Sequence, residues 1–190
     1  LQHPDHLSVA EEIGALTIAR GRANSSDLPL QSGHKVLCLN FAASSNVFYT
    51  DPPSHFTAEL GNVVTNLTVV QVSSAPSLSD RTSIVSNASS GGYDRIVVAV
   101  HNWKPTLHDN QVGIVEDLLQ AGHRVVYVSF GSPYHYRYFP ALENYFCGFS
   151  THSATQKAAA RVLTGQIAAG AEWPVGGVPV PVTLSWWAVE

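Results

Sequence analysis

Long apolar runs alternate along this chain with segments in which apolar residues recur every three or four positions. Four of the runs are predicted to be strands: Lys35–Phe41, Leu67–Val72, Arg95–Val100 and Arg124–Phe130. The first is almost continuously apolar, as is typical of a strand buried on both faces of a parallel sheet. Each run is followed by a segment with turn or helix character, which is the order expected of crossover connections.

The intervening segments predict the helices. They are Ser54–Val64, a weak Ser-rich segment at Ser79–Ala88, an amphipathic segment from Asn110 to a stop at Gly122, and Ser153–Gly165. Strands that alternate with helices in this way predict an α/β fold. We therefore expect a three-layer sandwich around a mostly parallel, doubly wound, flavodoxin-like sheet.

The chain length is that of one domain. A chain of 190 residues can bury a single core, and no internal repeat or long linker divides it, so residues 1–190 are predicted to form one α/β domain. Residues 1–7 and 183–190 are expected to be linker or tail. The sequence begins with Leu1 and contains no methionine, which suggests that it has been processed or belongs to a longer polypeptide.

Composition excludes some classes of partner. The net charge of −4 and the lack of a Lys/Arg cluster argue against nucleic-acid binding. No run approaches the roughly 20 apolar residues of a membrane-spanning helix, so we expect a soluble protein without a membrane partner. The compartment stays open between cytoplasmic and secreted, because acceptor patterns such as Asn66-Leu67-Thr68 also arise by chance in Ser- and Thr-rich sequences. Cys38 and Cys147 are expected to be buried thiols, and one disulfide between them is the alternative.

The candidate chemistry lies in the loops after two strands. In open parallel sheets, ligands bind beyond the carboxyl ends of the strands. Aromatic rings stand there beside hydrogen-bonding side chains, a composition that suits either a sugar or a neighbouring protein domain. Both uses stay open from the sequence. The candidate residues, for contact with a substrate or with another domain, are His101, Asn102, Trp103, Ser132, Tyr134, His135 and Arg137.

No residue is predicted to be catalytic. Ser132 lacks the Gly-x-Ser-x-Gly context of a nucleophile elbow, and the segment after Phe41 lacks the glycines of a phosphate-binding loop. The histidines at 101, 108 and 135 could meet at one edge of the sheet, but without a helical frame or cysteine partners we expect no metal and no cofactor. The available carboxylates are expected to be solvated on the surface; they are Asp51, Glu59, Asp80, Asp109 and Glu143.

The residues from Val125 to Pro181 resemble the second domain of family 3 glycoside hydrolases. In that domain a strand is followed by Gly-x-Pro-Tyr-Asp, then Phe-Pro, then an Ala-rich helix. The corresponding segments here are Gly131–His135, Phe139-Pro140 and Gln156–Gly165.

Earlier segments match more loosely. Ala15–Arg20 followed by Leu28-Pro29-Leu30 resembles the opening strand and turn of that domain, and His101-Asn102 with Gln111 resembles the N-acetylglucosaminidase branch, which Pro133-Tyr134 also favours. His135 departs from the family by replacing Asp, and the closing segment from Trp173 to Val180 is looser than the usual ending.

The resemblance implies a non-catalytic C-terminal domain that packs on an N-terminal TIM-barrel domain of the same polypeptide. The barrel would supply the nucleophilic Asp, and a carbohydrate would bind at the domain interface. The implied reaction of the full-length enzyme is hydrolysis of β-linked N-acetylglucosamine or glucose. The acid/base Glu of the β-glucosidase branch cannot be aligned with a residue here, so no catalytic role is transferred. A stand-alone carbohydrate-binding or protein-interaction module is the alternative.

Overall fold

A computed structural model describes residues 4–24, 26–42, 54–171 and 173. The elements are α1 Pro4–Leu16, β1 Ala19–Arg22, β2 Lys35–Ala42, α2 Ser54–Gly61, β3 Asn66–Ser73, α3 Leu78–Ser90, β4 Arg95–His101, α4 Asp109–Gln120, β5 Val125–Ser129, a 3-10 helix Pro133–Tyr138, β6 Asn144–Cys147 and α5 Ser153–Leu163. No helix in these ranges is long and apolar enough to cross a bilayer.

The described strands form one six-stranded sheet in the order β1-β6-β5-β4-β2-β3. Five of them are parallel, and β1 pairs antiparallel with β6 at one edge. Chain order runs outward in both directions from the β2–β4 boundary, which is therefore the topological switch point. This arrangement confirms the predicted doubly wound, flavodoxin-like α/β fold, to which β1 adds an antiparallel edge.

Helices cover both faces of the sheet. Alternate residues of β4 divide between two cores: Val98 packs with α3 and α4, whereas Ala99 packs with α2 and α5. On the second face, α1 lies against α5 so closely that a Cβ at Gly14 would stand 2.8 Å from the backbone of Ala154. The result is the predicted three-layer sandwich with a separate apolar core on each side of the sheet.

Some element boundaries differ from the predictions. Ala15 and Leu16 end α1 rather than open a strand, and β1 begins only at Ala19. The helix starts at Pro4, so residues 4–7 of the expected linker or tail belong to α1. Neither β6 nor the 3-10 helix was predicted. The predicted tail at 183–190, the loop after Phe41 with Asp51, and most of the closing segment lie outside the described residues.

The two cysteines are free and buried, as predicted. Cys38 belongs to the core on the α2 and α5 side, whereas Cys147 belongs to the core on the α3 and α4 side. Because the sheet separates them, they form no disulfide. Burial raises the pKa of each thiol to about 12, so neither is a thiolate at neutral pH.

Candidate functional site at the carboxyl edge of the sheet

The candidate site is built from the ends of the parallel strands. His101 is the last residue of β4, and the loop that follows it carries Asn102 and Trp103. Ser132 is the N-cap of the 3-10 helix after β5, and that helix carries the other three candidates. The carboxyl ends of β4 and β5 are neighbours in the sheet, so the structure brings the two loops together.

His101 is held by side chains of the two strands beyond it. Its Nε2 lies 2.9 Å from Asn40 Oδ1, and Asn40 Nδ2 donates to Gln71 Oε1 at 3.2 Å. Since the Asn40 oxygen can only accept, the His101 Nε2 carries the proton and Nδ1 keeps its lone pair. That Nδ1 is buried, and no described residue forms a hydrogen bond with it. The ring stacks on Phe130 with centroids 4.5 Å apart, and burial lowers its pKa to about 3, so His101 is neutral.

His135 is fully buried and hydrogen-bonded at both ring nitrogens. Its Nε2 lies 2.8 Å from the Lys104 carbonyl oxygen, and its Nδ1 lies 3.1 Å from Ser129 Oγ and 3.3 Å from the Tyr127 hydroxyl. A carbonyl only accepts, so Nε2 donates and Nδ1 accepts. Burial lowers the pKa of His135 to about 4, and the hydrogen bond to Lys104 opposes this shift.

The two loops also contact each other through their backbones. The Ser132 N–H donates to the Asn102 carbonyl at 3.3 Å. A Cβ at Gly131 would lie 2.6 Å from both that carbonyl oxygen and the Trp103 Cα, so only glycine allows this approach. The Ser132 hydroxyl accepts from the Tyr134 N–H at 3.3 Å and caps the 3-10 helix.

Exposed apolar side chains lie beside the ends of the elements at the same edge. Trp103 is 63% exposed, Tyr134 is 38% exposed, and the Arg137 guanidinium lies over the Tyr134 ring at 4.8 Å from its centroid. Phe149 follows β6 with 37% exposure and a left-handed φ of 54°, an unusual backbone for a bulky residue. Leu16, 60% exposed, ends α1 just before the strand that pairs with β6. We call Leu16, Phe149, Tyr134 and Trp103 the apolar rim.

The seven predicted site residues thus occupy two levels. Four lie inside the edge and are hydrogen-bonded or stacked; they are His101, Asn102, Ser132 and His135. Three face outward; they are Trp103, Tyr134 and Arg137. Contact of any of them with a substrate or another domain stays a prediction. Asn40, which contacts His101, and Gln71, which contacts Asn40, were not predicted, although a polar Asn40 inside an apolar strand was a usable signal.

Asp80, Asp109 and Glu143 are exposed, as predicted. Asp80 caps α3 with Ser77, and Asp117 pairs with Arg81; these contacts lower the pKa of each carboxyl. Glu59 differs from its prediction, because its side chain is only 16% exposed and is ion-paired with Arg161 at 2.6 Å.

The three histidines considered for a metal have separate contacts: His101 meets Asn40, His135 meets Lys104, and His108 accepts from the Asn110 N–H. The described residues contain no group of three or more His, Cys, Asp or Glu side chains arranged to hold a metal.

The topology and this edge define a doubly wound α/β domain. No family model and no curated protein matches the sequence. Solved structures, in contrast, do match this chain. A glycoside hydrolase family 3 β-N-acetylglucosaminidase from Paenibacillus sp. aligns with a TM-score of 0.75 and 20% sequence identity. The alignment covers 90% of this chain and 32% of that enzyme. A β-glucosidase from Listeria innocua in complex with isofagomine gives a TM-score of 0.73 and 15% identity over 87% of this chain and 26% of its own.

A fungal multi-domain family 3 β-N-acetylglucosaminidase gives a TM-score of 0.69 and 21% identity over 86% of this chain and 18% of its own. The chain therefore spans a third or less of the length of these enzymes. Its fold is similar to that of the C-terminal α/β domain of family 3 glycoside hydrolases, which confirms at the level of fold the resemblance seen in the sequence.

Proposed function

We propose that this chain is the non-catalytic α/β domain of a glycoside hydrolase. In this proposal it packs on a TIM-barrel catalytic domain of the same polypeptide and shapes the active-site crevice. The supporting observation is the one-sided coverage: 86–90% of this chain aligns with only 18–32% of each of the three enzymes. The full-length enzyme would hydrolyse β-linked N-acetylglucosamine or glucose, with N-acetylglucosamine favoured by the Pro133-Tyr134 motif.

The apolar rim supports an interface at the carboxyl edge. Exposed aromatic and aliphatic side chains at one edge of a domain are typical of surfaces that meet another protein domain or a sugar ring. Trp103 and Tyr134 have the large rings suited to either contact, and Arg137 keeps the Tyr134 ring covered on one side. A carbohydrate bound between this edge and the barrel would contact these rings on one side and the barrel on the other.

The chemistry inside the edge supports a non-catalytic role. A general acid or base must be able to exchange a proton near neutral pH. The pKa values of His101 and His135 are lowered to about 3 and about 4, so both stay neutral and neither is poised for proton transfer at pH 7. In this proposal the nucleophile comes from the barrel.

The sequence upstream of Leu1 in the encoding gene tests the proposal most directly. We expect a reading frame for a (β/α)8 barrel with an Asp at the carboxyl end of a strand. A frame without a barrel would contradict the proposal and support a stand-alone carbohydrate-binding or interaction module, for which the exposed Trp103 and Tyr134 are the favouring observation.

Activity assays on the chain itself give an independent test. The chain should not hydrolyse 4-nitrophenyl N-acetyl-β-glucosaminide or the matching β-glucoside, whereas the barrel-containing polypeptide should. Turnover by the chain alone that survives purification under denaturing conditions and refolding would contradict the non-catalytic role. A polypeptide that cleaves only the glucoside would contradict the N-acetylglucosaminidase assignment.

A further inference from the structure

Trp103 is exposed, yet the backbone that carries it is fixed on both sides. The Asn102 carbonyl accepts from the Ser132 N–H, and the Lys104 carbonyl accepts from His135 Nε2 at 2.8 Å. The Asn102 side chain adds two contacts within the loop: Oδ1 accepts from the Lys104 N–H at 2.9 Å, and Nδ2 donates to the Thr106 carbonyl at 3.3 Å. These hydrogen bonds fix the backbone before and after Trp103, and they thereby fix the point at which its side chain leaves the loop.

The contact from His135 differs from the others because it comes from a fully buried side chain. Its own orientation is set from behind. The Lys104 carbonyl can only accept, so the proton of the His135 ring resides on Nε2 and Nδ1 accepts. The Ser129 hydroxyl already donates to the Ser132 carbonyl at 2.7 Å, so the hydroxyl that donates to Nδ1 is that of Tyr127, 3.3 Å away. A residue of β5 therefore supports the tautomer that donates to the loop after β4.

We propose that His135 is a positioning residue that sets where Trp103 stands on the apolar rim, acting through the Lys104 carbonyl. The proposal rests on the proposed function for the use of Trp103, but the contact itself is a property of this chain. The side chain at residue 135 must therefore present a hydrogen-bond donor that reaches the Lys104 carbonyl. A carboxylate at residue 135 offers only acceptors, so it would face the carbonyl with a like partial charge and release the loop.

Two amide variants separate this role from general support of the core. In His135→Gln the terminal amide can reach the position of Nε2 and donate to Lys104, although the acceptor for Tyr127 is lost. In His135→Asn the shorter amide keeps an acceptor near the position of Nδ1 but cannot reach Lys104. Both variants remove the ring, so a purely structural role would affect them alike.

Hydrogen exchange measured by mass spectrometry on the full chain gives the test. For the peptide covering residues 101–108, we expect His135→Asn and His135→Asp to exchange on the order of 10-fold faster than wild type, as for the loss of one hydrogen bond. His135→Gln should stay within about 3-fold of wild type in that peptide. A peptide from α5 serves as the internal control. Equal acceleration in Asn and Gln variants, or acceleration spread over the α5 peptide, would overturn the proposal.

A measurement on the wild-type chain covers the case in which the variants do not fold. Two-bond proton–nitrogen correlations of the His135 ring should show the Nε2–H tautomer, and an Nδ1–H tautomer would overturn the proposal. Neither measurement needs the barrel. If the upstream sequence lacks a barrel, the proposed function fails while these results still decide the role of His135.

Discussion

Acid should destabilise this protein through its two neutral buried histidines. In the folded chain, burial lowers the pKa of His101 to about 3 and that of His135 to about 4. In the unfolded chain both rings recover an ordinary pKa of about 6.5. Between pH 6.5 and pH 4 the unfolded state therefore binds protons that the folded state excludes, so stability is complete above pH 6.5 and falls as the pH is lowered.

The size of the effect follows from the unfolded pKa alone, as long as both folded values lie below the working pH. At pH 5 each histidine is about 1.5 pH units below its unfolded pKa, and at about 1.4 kcal/mol per unit each costs about 2 kcal/mol. Together they remove about 4 kcal/mol from an unfolding free energy that is typically 5–15 kcal/mol. For a chain of this size that loss corresponds to a fall in Tm on the order of 10 °C.

Urea denaturation at pH 7.5, 6.5, 5.5 and 5.0 measures this loss. His101→Gln and His135→Gln should each remove about 2 kcal/mol of the difference between pH 7.5 and pH 5, and the double variant should be nearly flat over that range. A wild-type free energy that changes by less than about 1 kcal/mol would refute the reasoning. So would a double variant that keeps the wild-type slope, because the titrating groups would then lie elsewhere.

Three further substitutions test the loops and the helical layer. Gly131→Ala should lower the free energy of unfolding by roughly 1–3 kcal/mol, because the added methyl group meets the Trp103 backbone. Gly33→Ala is the neutral control, because the space around its Cβ is open. Equal stability of the two variants would contradict the close approach at Gly131. Asp117→Asn should lower the free energy of unfolding by about 0.5–1 kcal/mol in dilute buffer and by less at 1 M salt, because it breaks the paired contacts at 2.7 Å with Arg81. A loss of stability that does not depend on salt would count against an electrostatic origin. Trp103→Ala should change the unfolding free energy of the chain by less than about 0.5 kcal/mol. If the proposed barrel domain is present, the same substitution should weaken association with it at least about 10-fold. A large loss of stability with unchanged association would reverse the role of that side chain.

The strands of the sheet interior were predictable because they are buried on both faces. Lys35–Phe41 and Arg95–Val100 differ from the observed β2 and β4 by one residue at the carboxyl end. Shorter elements were not predictable on the same basis. The strand β6 has four residues and begins with a polar Asn144, whose amide hydrogen-bonds to the buried Asp27. No hydrophobic period marks such a strand, because its burial depends on distant residues.

In the candidate site, too, one part was predictable from the sequence and another was not. Its loops were predictable from the rule that ligand crevices lie beyond the carboxyl ends of parallel strands. The partners were not, because they come from remote parts of the chain: His101 meets Asn40, which is 61 residues away, and His135 meets Lys104, which is 31 residues away. A loop position that looks solvent-facing in sequence can be fully buried, as His135 is, when a neighbouring loop covers it.

The placement of the two cysteines makes them reporters of unfolding. Each thiol is shielded and protonated in the folded state, so a reagent that needs an exposed thiolate can react only when the surrounding core opens. Since Cys38 and Cys147 lie on opposite sides of the sheet, Cys147→Ser and Cys38→Ser would each leave a reporter for one core. The two labelling rates would show whether the halves of the sandwich open as one cooperative unit or as two.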